Sequence, residues 1–79
     1  MGQDRNIVHQ YFKREFGDKV ILVKVNPIQF KGTEITILED GSMEIRHLDF
    51  DSEILNDLQV DGFSEASALE FGLYEAGLR

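Results

Sequence analysis

Apolar positions set two different rhythms along the chain. Ile7, Val8, Tyr11, Phe12 and Phe16 recur three or four residues apart, the spacing of one face of a helix. Asp4 or Asn6 stands where an N-cap belongs and Gly17 where a helix-ending glycine belongs. The pattern therefore predicts a first helix over about residues 5–16. Lys19 to Val25 is almost continuously apolar and β-branched, which predicts a strand covered on both faces. Asn26-Pro27 closes it, because proline lacks the N–H a ladder requires. Ile28–Phe30 reads equally well as a strand continuation or as a loop.

Thr33–Leu38 and Ser42–Leu48 read as a hairpin whose register follows from charge and burial. A two-residue Asp40-Gly41 turn would set Ile37 opposite Glu44 and Ile35 opposite Arg46. A three-residue loop, Glu39-Asp40-Gly41, shifts the pairing by one, with Gly41 left-handed at its third position. Ile37 then faces Met43, Ile35 faces Ile45 and Glu34 faces Arg46, so apolar meets apolar and opposite charges meet on the other side.

Asp51 or Ser52 is placed to cap a following helix, with Glu53 suited to its N-terminal dipole and Ile54, Leu55 and Leu58 on its apolar side. Asp61-Gly62 ends it. Ser64 is placed to cap a last helix running to about residue 76, with Ala66, Leu69, Leu73 and Ala76 on one face, widened by Phe71 and Tyr74. Gly72 falls inside it, which predicts close backbone packing there. The expected fold class is α+β in the order α-β-β-β-α-α, a three-stranded antiparallel sheet with helices packed on one face. That order resembles double-stranded-RNA-binding domains in topology alone. The helix such domains aim at phosphate begins here with Asp49, Asp51 and Glu53, which argues against that use.

Seventy-nine residues make one domain over residues 1–79, near the lower limit for a core without staples. There is no cysteine and there are six Phe and two Tyr, so aromatic burial stands in for disulfides or thiolate metal sites. The lack of cysteine fits a cytoplasmic location. No stretch is long enough to span a membrane, and Met1-Gly2 lacks the Ser or Thr at position 6 of a myristoylation signal. Net charge is −7, unevenly spread. Residues 1–32 hold six basic and three acidic side chains, residues 33–79 two basic and twelve acidic. The asymmetry predicts two faces of opposite sign if the halves do not interleave. It argues against direct nucleic-acid binding, which needs a basic footprint.

No catalytic set stands out. Ser52 and Ser64 sit at cap positions and Ser42 beside the hairpin glycine. His9 and His47 lack metal-binding spacing. Asp49-Phe50-Asp51-Ser52-Glu53 starts like a calcium loop, but Ile54 and Val60 occupy the positions where Gly and Glu are required. No cofactor motif is present. The most informative feature is the span from Asp49 to Glu75, with eight acidic residues and no Lys or Arg. Asp49, Glu53, Asp57, Asp61 and Glu65 recur every fourth position and form the candidate partner-binding surface. The expectation is a small protein-interaction or regulatory module without catalytic activity, whose partner is a basic protein surface or a second copy. Two other readings stand beside it. One is an inhibitor presenting carboxylates in place of nucleic-acid phosphates. The other is a small metal binder or enzyme built on His9 or His47 with Asp49 or Asp51.

Overall fold

In the computed structural model, which describes residues 9–76, the chain forms five strands and two short helices. They are β1 (Gln10–Glu15), β2 (Lys19–Val25), β3 (Lys31–Leu38), β4 (Met43–Asp49), α1 (Ile54–Val60), β5 (Ser64–Ala66) and α2 (Ala68–Glu75). The strands make one antiparallel sheet in the order β4-β3-β2-β1-β5. β1 to β4 form a meander, and β5 returns to pair with the free side of β1.

Each face of the sheet carries one helix, and this explains the apolar run of β2. Ile21, Val23 and Val25 point to the side where Phe12, Leu58, Ile54, Leu55, Phe50 and Phe63 gather. Val20 and Leu22 point to the other, with Ile35, Ile37, Tyr11, Phe71 and Tyr74. Tyr11 and Phe12 are therefore neighbours in sequence that serve opposite layers. Phe71 and Leu22 are fully buried, each contributing about 1.5–3 kcal/mol of transfer free energy.

The expected three-stranded sheet in the order α-β-β-β-α-α, with helices on one face, is thus corrected to five strands with a helix on each side. Gln10–Glu15 is strand, not helix. Tertiary pairing overrides the helical spacing, because β1 bonds to β2 on one side and β5 on the other. Residues 5–8 of the expected helix, and Gly77 as its counterpart at the end of the last one, lie outside the described residues. The expected helix over 64–76 is split. Ser64–Ala66 pairs with β1, and Ser67 takes the capping role, its hydroxyl accepting from Glu70 N at 3.0 Å. α2 also turns a different side inward. Phe71 and Tyr74 pack on the sheet, Leu69 is exposed, and Gly72 meets no atom within 4 Å.

Several expectations hold. β2 has the expected bounds, and α1 buries Leu58 beside Ile54 and Leu55. The hairpin pairs Ile37 with Met43, Ile35 with Ile45 and Glu34 with Arg46. Its three-residue loop is closed by Leu38 N donating to Ser42 O at 2.8 Å, with Gly41 at φ 91°. Ile28–Phe30 is a turn rather than strand. Asn26 Oδ1 accepts from Ile28 N at 2.9 Å and Gln29 N at 3.0 Å, and Asn26 is buried. α1 begins after Glu53, which makes no side-chain cap. Asp51 acts just upstream, its Oδ1 accepting from Glu53 N at 3.0 Å.

Candidate functional site

The five acidic candidates do not share one element. Asp49 ends β4, Glu53 and Asp61 bound α1, Asp57 lies within it, and Glu65 sits on β5. Glu53, Asp57 and Asp61 keep the four-residue spacing of a single helix side. All five are exposed. Among the described residues none of their carboxylates enters an ion pair or hydrogen bond.

The two halves of the chain do interleave, which corrects the picture of two opposed charged faces. The basic side chains of β1 are spent on the acidic half. Lys13 Nζ donates to Glu70 Oε2 and also lies 3.6 Å from Glu15 Oε2. Arg14 donates to the carbonyl of Asp61 while stacking 4.5 Å over the Phe16 ring. The Asp61 carbonyl sits where α1 ends, at the negative end of the helix dipole, so a guanidinium is suited to it. The acidic stretch is therefore partly compensated by residues some fifty positions away in sequence, a pairing that composition conceals.

His9 and His47 stand on separate parts of one sheet face. The register sets Tyr11, Lys24, Thr33 and His47 in one row, so His47 on β4 is three strand spacings, about 14 Å, from β1, which His9 precedes. Both line an open cleft of about 490 Å³ with Lys24, Asn26, Lys31, Gly32, Thr33, Leu48 and Asp49. Thr33 Oγ1 lies 3.2 Å from His47 Nδ1, its partner in the β3–β4 register, and His47 is exposed. Burial lowers the His9 pKa below the usual 6.5, and the positive charge of Lys24 adds to the effect. Among the described residues no three His, Asp or Glu side chains are arranged to hold a metal ion. No helix among them is long and apolar enough to cross a membrane.

Sequence reasoning passed over β4. Among the described residues it is the outermost strand of the sheet, and every side chain except Leu48 is exposed. Leu38 N bonds to Ser42 O and Phe50 N to Phe30 O at the two ends of the β3–β4 ladder. Hydrogen-bonded pairs alternate in an antiparallel ladder, so Glu44, Arg46 and Leu48 turn their backbone groups toward β3. Met43, Ile45 and His47 turn theirs away from the sheet. On the sheet face that α2 covers, β4 also exposes Met43 (37%) and Ile45 (45%). A signal was present in the sequence, since Ser42–Leu48 holds neither Lys nor Pro, two residues that blunt an edge. Comparison with known protein families, curated proteins and solved structures finds no match for this chain.

Proposed function

We propose that this chain is a small non-catalytic protein-interaction module whose binding element is the outer edge of β4. The observation that carries the reading is a seven-residue edge strand with outward-turned backbone groups at Met43, Ile45 and His47 and apolar side chains beside them. An exposed edge of this kind adds a strand from a partner, main-chain hydrogen bonds giving affinity and alternate side chains giving specificity. The test is a photoreactive residue in place of Ile45, expressed in the native host and compared with one in place of Asp57. Covalent capture of a protein chain from position 45 supports the reading. Capture from position 57 alone would move the function to α1.

A second reading is favoured by the unpaired carboxylates of Glu53, Asp57 and Asp61 along one side of α1. They suit a basic protein, including a nucleic-acid-binding protein whose ligand they imitate. Retention of a partner through moderate salt, and through Asp57→Lys, Asp61→Lys and Glu65→Lys together, removes this reading.

A further inference from the structure

Resting on that reading of the β4 edge, we infer that its occupant is a second copy of the same strand, paired antiparallel about a two-fold axis through Ile45. Four observations converge on this arrangement.

The first is the contrast between the two edges of the sheet. β5, at one end, is only three residues long, and a very short edge strand is one of the ways proteins keep an edge from pairing. β4, at the other, is seven residues long, pairs with β3 residue for residue without a bulge, and contains no Lys or Pro. The charged side chains it does carry, Glu44, Arg46 and Asp49, include one of each sign within the span that a second strand would meet.

The second is the phase of the backbone. A two-fold axis through a residue joins two antiparallel strands when that residue's N–H and C=O both point outward. Ile45 meets this condition, as do Met43 and His47 on either side. Pairing about Ile45 joins Ile45 to Ile45, Met43 to His47 and His47 to Met43 of the second copy, each as a hydrogen-bonded pair.

The third is charge. About Ile45, Glu44 of each copy falls opposite Arg46 of the other. These are the only two charged side chains between Ser42 and His47, and the symmetry pairs them twice with opposite sign. Arg46 already meets Glu34 of its own chain, Nη2 to Oε1 at 3.0 Å, so it would lie between two carboxylates. An axis through Met43 instead sets Glu44 opposite Ser42 and Arg46 opposite Asp40, which lies in the hairpin loop outside the strand, and an axis through His47 sets Arg46 opposite Leu48.

The fourth is apolar surface. On the α2 side the axis brings together the exposed Met43 and Ile45 of both copies. The ten-stranded sheet that results covers side chains that one copy leaves to water, while Glu44 and Arg46 line the opposite side.

The experiment uses the full chain, in which charge variants act as keys to the register. Sedimentation from about 1 µM to about 1 mM should show the mass rising from 9.0 kDa toward twice that value. Glu44→Arg sets like charges opposite one another, and so does Arg46→Glu, and each alone should weaken association at least about tenfold. Mixed one to one, the two variants restore opposite charges at both positions and should associate again. Circular dichroism checks that each is folded. The chain has no cysteine, so Ile45→Cys provides a single thiol. Its Cα lies about 5.5 Å from its symmetry mate, within disulfide reach, whereas Met43→Cys is about 13 Å from its own. Oxidation should therefore cross-link the first and not the second. A chain that stays monomeric throughout the range overturns the proposal. So does a dimer indifferent to both charge variants, or a Met43→Cys chain that cross-links as readily. A purified monomer whose position 45 captures a different protein in the host removes self-pairing and leaves the β4 edge as the binding element. Failure of both removes both.

Discussion

Lys13 on β1 and Glu70 on α2 meet 57 positions apart in sequence, ammonium to carboxylate, on the sheet face that α2 covers. The contact fixes the rotation of the last helix. Together with the Ser67 cap at its start, it brings Phe71 rather than Leu69 onto the sheet, where the Phe71 ring centroid lies 5.4 Å from that of Tyr11.

This pair gives the fold an alkaline limit. The hydrogen bond to Glu70 raises the Lys13 pKa above its usual 10.5, against the opposing pull of burial. A raised lysine stabilises the fold fully below the unfolded value of 10.5 and loses that contribution as pH rises through the folded value. Glu70→Gln should cost about 1 kcal/mol at neutral pH, since both side chains are partly exposed. It should also flatten the alkaline fall in stability. Urea midpoints measured from about pH 8 to about pH 12 check both.

Gly32 and Gly72 should respond to alanine with opposite signs. A Cβ on Gly32 would lie 1.9 Å from the Lys24 carbonyl oxygen and 2.8 Å from the Phe50 ring, which closes the α1 layer there. Gly32→Ala should cost about 3 kcal/mol or unfold the chain. Gly72 lies inside α2 with nothing within 4 Å, so Gly72→Ala should add up to about 1 kcal/mol from helix propensity. Thermal unfolding of the two variants side by side reads the difference.

His9 should titrate below 6.5 in the folded protein, because burial and the neighbouring Lys24 both disfavour its charged form. A histidine with a lowered pKa costs stability as pH falls from 6.5 toward the folded value, since the unfolded chain then binds the proton first. Lys24→Met removes the charge but keeps the bulk. It should move the His9 titration part of the way back up, leaving the share due to burial, as NMR shifts of the imidazole would show.

Asp61 stands at the C-terminal end of α1, the wrong end for a carboxylate, and no basic residue lies in the helix's last turn. Asp61→Asn should therefore stabilise the fold by about 0.3–0.5 kcal/mol. If the α1 side is a binding surface, the same change weakens capture of a basic partner, so stability and binding move in opposite directions. Chemical denaturation and salt-titrated capture measure the two effects.

Local chemistry was legible where local chemistry decides. Asn26-Pro27 ends β2, the Glu39–Gly41 loop sets the hairpin register, and Gly62 follows α1, all from nearest-neighbour rules. β1 escapes the sequence pattern because it turns one aromatic to each face, Tyr11 and Phe12, followed by Lys13-Arg14-Glu15, which displays no alternation, and Tyr11-Phe12 next to Ile7-Val8 imitates a helical stripe. β5 was invisible, since three residues, Ser64-Glu65-Ala66, have no period to detect. The acidic residues could be listed from the sequence. The pairing of Lys13 with Glu70, the seating of Arg14 on the Asp61 carbonyl and the cleft that His9 and His47 both line depend on strand order, which one sequence encodes only through long-range pairing.

The return of β5 to β1 also orders the steps of folding. The meander from β1 to β4 closes through short connections, whereas joining Tyr11 to Ala66 closes a loop of more than fifty residues and so comes late. Until it does, β1 is a second naked edge, and Tyr11, Leu22 and Ile35 await the helix that follows β5. The nascent sheet is then sticky on both flanks and on one face, and the concentration at which refolding is attempted decides whether it finds its own last strand or a neighbour's.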